Sequence, residues 1–333
     1  MDSAGIPHRP YPKIPTRLAE GPGAGSDWVA TEKIHGAQLV LGCDGRSVEV
    51  GKRKAWLADD EPFFGWQLLR GALERAALDA FAFLRASAVT DYAPATVYVY
   101  GELFGGAYPH PETEALPGLS PVQTGIWYAP GLAFAAFDVL VCRGAEPEHS
   151  DPPEPEFLSR TELEAVAEHA GLRTVPVLGR GTRRQLEALP VRYPTTVPER
   201  LGLPALPDNV AEGFVLVPDR RLPAKARPVV KHKIPEFDDL RFDASVPFDP
   251  NRHLELDALE RWTGALVNPM RLASARSKVG EDPEAVVEEA LLDVFIDLEA
   301  IFPRRMAGLR PDEEATLRRG VEARLRELIA AAP

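Results

Sequence analysis

The sequence predicts an α+β protein, with an antiparallel-sheet domain over residues 1–240 followed by a small all-α domain over residues 249–333. Three observations predict it. Short apolar runs rich in Val, Tyr and Phe fill the first part of the chain, as strands do. Turn residues separate them, with Asp44-Gly45 the strongest hairpin signal. From about Asp249 onward the apolar residues recur at helical spacing instead.

Taken in order, the stretch to about Ser26 is rich in Pro and Gly and reads as an arm wrapped on the surface. Trp28 to Ile34 reads as the end of a strand. Ala37–Leu41 and Ser47–Val50 form a hairpin through Cys43-Asp44-Gly45-Arg46. Phe64 to Arg85 has helical spacing, with Leu68, Leu69, Leu73, Ala76 and Leu84 available for one face. Thr96–Tyr100 and Leu132–Leu140 are strands, and Pro109, Pro111, Pro117 and Pro121 break the loop between them. Ser159 and Glu162 form a capping box that opens a helix to about Ala170, and Thr182 to Gln185 opens another before Pro190. Gly179-Arg180-Gly181 is read as a turn, because no Gly-Lys-Ser/Thr follows to make a phosphate loop. Gly213–Val217 and Val229–Lys233 close the first domain near Phe237. Three helices then carry Leu254 to Leu266, Val286 to Leu298, and Leu317 to Leu328.

Composition narrows the function. Hydrophobic residues make up 45% of 333, enough for a real core, and no apolar run approaches the roughly 20 residues that span a bilayer. The start of the chain lacks the pattern of a signal peptide, and two cysteines are too few for a disulfide scaffold or a zinc site. A cytoplasmic protein is expected. The net charge of -12 argues against a protein that coats nucleic acid, although a local basic channel remains compatible with it.

Chemistry concentrates in Glu32-Lys33-Ile34-His35-Gly36. A lysine nucleophile must be neutral to attack phosphorus, yet its ordinary pKa is about 10.4. Cations folded back onto it, such as Lys231 and Lys233, would favour the neutral amine and stabilise charge developing on a phosphate. Gly36 permits a sharp turn without a Cβ. Four further pieces follow in order: Lys52-Arg53, Tyr100-Gly101-Glu102-Leu103, Glu212-Gly213-Phe214-Val215 and Lys231-His232-Lys233.

With these five motifs in this order the chain resembles the covalent nucleotidyltransferase superfamily of ligases and capping enzymes, and within it the RNA ligase 2 family typified by a bacteriophage enzyme. The resemblance continues through Phe63-Phe64-Gly65, Leu178 to Gly181 and Ala211 to Leu216, with a weaker echo from Asn268 to Arg271 and Ser277 to Glu281. It implies an antiparallel-sheet adenylyltransferase domain and an ATP-dependent RNA ligase that uses Mg²⁺ or Mn²⁺. AMP would pass from Lys33 to an RNA 5′-phosphate, and a 3′-hydroxyl would then seal the strand, with a nick in duplex RNA as the expected substrate.

By the same resemblance Glu102 would hold the ribose hydroxyls, Phe137 would stack on adenine, and groups beside Glu32 and Ile34 would read the base. Glu212 would position a divalent metal, Lys231 and Lys233 would grip the α-phosphate, and Arg53 would bind ribose or the RNA 5′-phosphate. His35, where DNA ligases and capping enzymes carry aspartate, would serve the RNA-dependent steps. Gln38 stands where the family has asparagine, and Thr31 where the phage-type enzyme has a basic residue.

Plainer readings stand beside these. Glu102 could be a surface carboxylate, Phe137 a core aromatic, Glu212 a cap, and Lys231 and Lys233 an edge-strand charge pair. Arg271, Arg276 and Lys278 could touch RNA or simply face solvent. Two alternatives for the whole chain are a capping-type guanylyltransferase or DNA ligase, and a non-catalytic nucleotide- or RNA-binding relative.

Overall fold

The computed structural model describes residues 5–18, 27–86, 94–116, 118–144, 152–237 and 254–331. Pro117 and the expected domain boundary between residues 240 and 249 lie outside them.

In chain order the elements begin with β1 (Trp28–Glu32), β2 (Ala37–Cys43), β3 (Val48–Lys52), β4 (Ala55–Trp56), α1 (Arg70–Ala86), β5 (Pro94–Ala107) and β6 (Ala129–Arg143). Next come β7 (Glu156–Phe157), α2 (Arg160–His169), β8 (Arg173–Thr174), β9 (Val177–Gly181), α3 (Arg183–Glu187) and α4 (Val197–Arg200). Then β10 (Gly213–Pro218), β11 (Leu222–Pro223) and β12 (Val230–Lys233) precede α5 (Leu256–Leu266), α6 (Pro269–Val279), α7 (Pro283–Ile301), α8 (Pro303–Ala307) and α9 (Pro311–Ala331).

Two sheets result. The smaller runs β12-β10-β1-β9 and the larger β11-β7-β6-β5-β2-β3-β4, with β8 pairing in parallel against β6. All other pairings are antiparallel. The hairpin turns at Gly45, whose φ of 83° lies in the left-handed region that glycine adopts without strain. Ser159 and Thr182 both cap their helices as the sequence suggests, each in a reciprocal capping box.

Alternation along the strands sorts the core onto two faces. Leu39, Leu41, Val97, Val99, Val139 and Val141 pack against Leu73, Ala77, Ala80 and Leu84 of α1 and Leu163 and Val166 of α2. The opposite face carries Val40, Tyr98, Tyr100, Leu140 and Cys142, and the N-terminal arm covers it with Ile6 and Tyr11. Backbone carbonyls hold the arm in place: Tyr98 donates to Pro7 (2.8 Å), Tyr100 to Arg9 (3.0 Å) and the Trp56 indole to Ile6 (2.8 Å). The Lys231 amide donates to Pro15 (3.0 Å), so the arm crosses from the larger sheet to the smaller.

Two expectations need correction. Gly179-Arg180-Gly181 is not a turn but part of strand β9, which pairs with β1 from Trp28↔Gly181 to Thr31↔Val177. Without β9, one edge of β1 would carry unpaired backbone groups beside the buried Glu32. The helix expected from Phe64 starts later, at Arg70, after a short 3-10 turn over Trp66–Leu68.

The C-terminal part is helical, as expected. Leu259, Trp262, Val294, Leu298, Leu317, Val321 and Leu325 form its core, and Tyr108, Trp127 and Leu206 of the preceding part join the same cluster. Helix α6, unforeseen as a separate element, starts where the Asn268 side chain accepts from the Arg271 amide and Pro269 occupies the first turn.

Candidate active site

A cleft of about 590 Å³ lies among residues of both sheets, within the usual range for a small-ligand site. Its lining includes Glu32, Lys33, Ile34, Gln38, Arg53, Glu102, Phe137, Lys231 and Lys233. The structure therefore brings together nine of the sequence-derived candidates, and the remaining two, His35 and Glu212, contact residues of that set.

The motif lysine sits just beyond β1, which is paired on both sides. The Glu32 amide donates to Pro176 O (2.8 Å) and the Lys33 amide to Gly213 O (2.9 Å), which fixes where the Lys33 side chain leaves the sheet. Glycine is obligatory at position 36, because a Cβ there would stand 2.2 Å from Leu103 O and 2.9 Å from Glu102 Cγ. The expected sharp turn is real, and its tight neighbour is strand β5.

Electrostatics centre on Glu212, which is 2% exposed. Its carboxylate meets Lys33 Nζ at 2.7 Å and Lys233 Nζ at 2.9 Å, and His35 Nδ1 lies 3.6 Å away. Burial alone would raise the Glu212 carboxyl, but Lys33, His35 and Lys233 more than offset this and hold it well below the usual range. The expectation that Lys233 would press bare positive charge onto Lys33 changes accordingly, since Glu212 bonds to both. Glu102 behaves differently: burial pushes it up to about 7, with Lys33 lowering it and Glu212 raising it. Two carboxyls near one lysine thus have opposed tendencies, the pattern that accompanies divided chemical roles.

Glu32 is buried, and its carboxylate accepts from the Thr195 hydroxyl and from the Thr196 amide (2.9 Å) and hydroxyl (2.7 Å). Its side chain is thereby committed to holding the strand end. Phe137 is half-buried, with Tyr11 edge-on at 5.1 Å. Gln38 faces Glu102 across the β2–β5 register, and its Nε2 is buried without a hydrogen-bond partner. Arg53 is exposed in the turn between β3 and β4. Lys231 and Lys233 alternate onto the cleft side of β12, while His232 stacks on Phe214 at 4.8 Å, away from the lysines.

Residues missed in the sequence also line the cleft. Tyr11, Pro12, Lys13 and Ile14 of the arm form one wall, with Val175, Val215 and Val217 nearby. Behind Tyr11, Asp138 pairs with the buried Arg227, and the Tyr11 hydroxyl donates to the same carboxylate at 2.7 Å. Tyr11 carries no local signal of this role, because its partners lie more than a hundred residues away in sequence.

Among the described residues no group of three His, Cys, Asp or Glu is placed to hold a metal ion. Glu212 alone is a carboxylate that would suit a cation such as Mg²⁺, which takes one or two carboxylates and fills its shell with water and phosphate oxygens.

The RNA ligase family profile matches residues 26–233, the span that holds all five motifs. The chain belongs to the RNA ligase family. That places it among the ATP-dependent RNA ligases of the covalent nucleotidyltransferase superfamily, as the motifs imply. It is 30% identical over 321 residues to mitochondrial RNA-editing ligase 2 of Trypanosoma brucei brucei, covering 87% of this chain and 74% of that one. Mitochondrial RNA-editing ligase 1 of the same organism is 27% identical over 339 residues, covering 83% and 69%. Among solved structures, a Naegleria gruberi RNA ligase variant with ATP and Mn aligns at 15% identity and a TM-score of 0.37, over 63% of this chain and half of that one.

Proposed function

We propose that this RNA ligase seals RNA 3′-hydroxyl and 5′-phosphate ends, nicks in duplex RNA foremost, through a covalent Lys33–AMP intermediate. The observation that carries the reading is the meeting of Lys33, Glu212 and Lys233 at the cleft that Glu102 and Phe137 also line. In the first step the Lys33 amine attacks the α-phosphorus of ATP, a nitrogen–phosphorus bond forms and pyrophosphate leaves. The RNA 5′-phosphate then takes the AMP from Lys33, and the 3′-hydroxyl displaces AMP as the phosphodiester forms. Before attack the amine must leave its ion pair with Glu212 and give up a proton.

In this reading Phe137 stacks on adenine, groups beside Glu32 and Ile34 face the base, and Glu102 accepts from the ribose hydroxyls. Lys231 and Lys233 hold the α-phosphate, and Arg53 takes ribose or the RNA phosphate. His35 and Gln38 serve the steps that need RNA. Mg²⁺ or Mn²⁺, held by Glu212, would offset phosphate charge. Residues 1–240 form the adenylyltransferase domain and residues 249–333 the helical domain.

Local charge supports placing RNA on one stretch of the first of these, from Arg173 to Lys233. Residues 173–233 hold 12 Lys and Arg against five Asp and Glu, whereas residues 254–331 hold 11 against 16. In the helical part Arg271 pairs with Asp297, and Lys278 pairs with Glu289 (2.9 Å) and Asp293 (2.9 Å). RNA engagement by that part is therefore secondary in this reading.

No helix among the described residues is long and apolar enough to cross a membrane. The cytoplasm remains the proposed compartment, supported by two buried free thiols, Cys43 and Cys142. Sealing assays on one RNA sequence, presented nicked in a duplex or single-stranded, test the substrate. Faster sealing of the nick is expected, and equal or faster sealing of the single strand overturns that preference. Labelling by GTP in place of ATP would favour the capping-type alternative.

A further inference from the structure

The helical part reaches the catalytic lysine through a buried path that the active-site motifs do not include. Asn209, 7% exposed, clamps the backbone of Trp127 from both sides. Its Oδ1 accepts from Trp127 N (2.9 Å) and its Nδ2 donates to Trp127 O (2.7 Å). Trp127 belongs to the core of the helical part. The next residue, Tyr128, is 2% exposed, and its hydroxyl accepts from the His35 amide at 2.8 Å.

On its other side Asn209 leads within three residues to Glu212, the partner of Lys33. The Asn209 carbonyl also accepts from Thr195 N (2.9 Å), and the Thr195 hydroxyl donates to Glu32, the neighbour of Lys33. Just before it, Asp208 pairs with Arg261 of α5 at 2.9 Å, and Leu206 is part of the helical core. Asn209 thus ties together the segments bearing Glu212, Glu32 and the His35 turn, its side chain through Trp127 and its carbonyl through Thr195, and the flank before it is rooted in the helices.

We propose that Asn209, acting through Trp127 and Tyr128, is a positioning residue that couples packing of the helical part to the placement of Glu212 and the His35–Gly36 turn around Lys33. Asn209 touches neither substrate nor reacting atoms. Its geometry suits the task because an asparagine amide offers both a donor and an acceptor, and so satisfies both backbone groups of one residue, as a neighbouring strand would. Aspartate could satisfy only the Trp127 amide, and would set a charge against the Trp127 carbonyl.

The proposal deepens the lysyl-adenylate reading and rests on it for its kinetic consequence, although its structural half can be read without activity. Tyr128→Phe removes only the hydroxyl, and Asn209→Ala removes the clamp. Hydrogen exchange at the His35 amide, followed by mass spectrometry, should rise roughly fivefold in each variant. With ATP the rate of Lys33 adenylylation at saturation should fall roughly tenfold in both, with KM for ATP within about twofold of wild type. The double variant should be little slower than the slower single variant, because both act through one path.

Tyr128→Phe should fold as the wild type does, so it decides the matter if Asn209→Ala fails to fold. Unchanged exchange at His35 in folded Tyr128→Phe overturns the proposal, as does an effect confined to KM. Effects that multiply fully in the double variant do so as well. Absence of labelling in the wild type would instead remove the lysyl-adenylate reading, and the exchange data would still decide the coupling.

Discussion

Between the two sheets Lys33, Lys233 and His35 gather around one buried carboxylate, whereas at the helical end Leu259, Trp262, Leu298, Leu317 and Val321 meet side chain to side chain. The helical cluster, with Tyr108, Trp127 and Leu206 packed into it, is already filled. The cleft is not. Its lysines neutralise Glu212 and line an open volume that suits an anionic ligand, and Glu102 is held near its titration point by burial. The difference teaches where each kind of substitution should register: in the cleft as altered rate, in the helices as altered stability. Charged side chains differ in setting as well, because Arg271 and Lys278 pair with carboxylates of the helical part, whereas Lys33 and Lys233 share one buried carboxylate at the edge of an open cleft.

The sharpest test of that division is Gly36→Ala. The new Cβ must displace the Leu103 carbonyl from 2.2 Å, shifting the turn next to Lys33. Adenylylation should fall by about a hundredfold or more, while the melting transition moves only a few degrees. A loss of folding without loss of specific rate in the folded fraction would break the comparison from the cleft side.

Leu298→Ala tests the other side. Leu298 is fully buried in the helical core, and its truncation should cost about 2–5 kcal/mol of unfolding free energy in a denaturant titration. A cost below about 1 kcal/mol would mean that the helical cluster is not a rigid counterpart to the cleft.

A smaller effect concerns pH. Glu102 sits at about 7 without ligand because burial raises it, and the ionised form is the better acceptor for a ribose diol. KM for ATP should therefore decrease as pH rises from about 6 to 8, by up to roughly tenfold. Glu102→Gln should flatten that dependence while weakening binding at the higher pH. An unaltered slope in the variant would detach the ribose role from Glu102. Glu212 has the opposite sign: its carboxyl is held low in the folded state, so its stabilising contribution is present above the ordinary carboxylate range and is lost as pH falls through its lowered value.

The smallest effect expected is that of Lys278→Ala. Its side chain is exposed and bonds to Glu289 and Asp293 across solvent, so the melting transition should not move measurably. RNA affinity should stay within about twofold of wild type. A large loss of affinity would move the RNA onto the helical part and erase the distinction drawn between the two regions.

Much of this architecture is legible in local sequence. Asp44-Gly45 announces its hairpin, Ser159 with Glu162 and Thr182 with Gln185 announce their helices, and the order of five motifs collects the cleft residues. What escapes is long-range. Strand β9 is built around glycines that read locally as a turn, and only its pairing with β1 makes it extended. The arm reads as surface chain, yet Tyr11 reaches Asp138 across 127 positions and helps to wall the cleft. The partnership of Lys33 with Glu212 spans 179 positions, so no local pattern could show that Glu212 already binds two lysines. Asn209 is the clearest case, a lone amide in a proline-rich loop whose task appears only when Trp127 is folded against it.

The proposed nucleophile is Lys33. Incubation with ATP labelled at the α-phosphate and Mn²⁺ or Mg²⁺, followed by denaturing electrophoresis, reads it directly in wild type and Lys33→Ala. Label retained by the wild-type protein and absent from a folded Lys33→Ala variant is the predicted result. Label that persists in Lys33→Ala, or no label on well-folded wild type with either metal, would contradict the account.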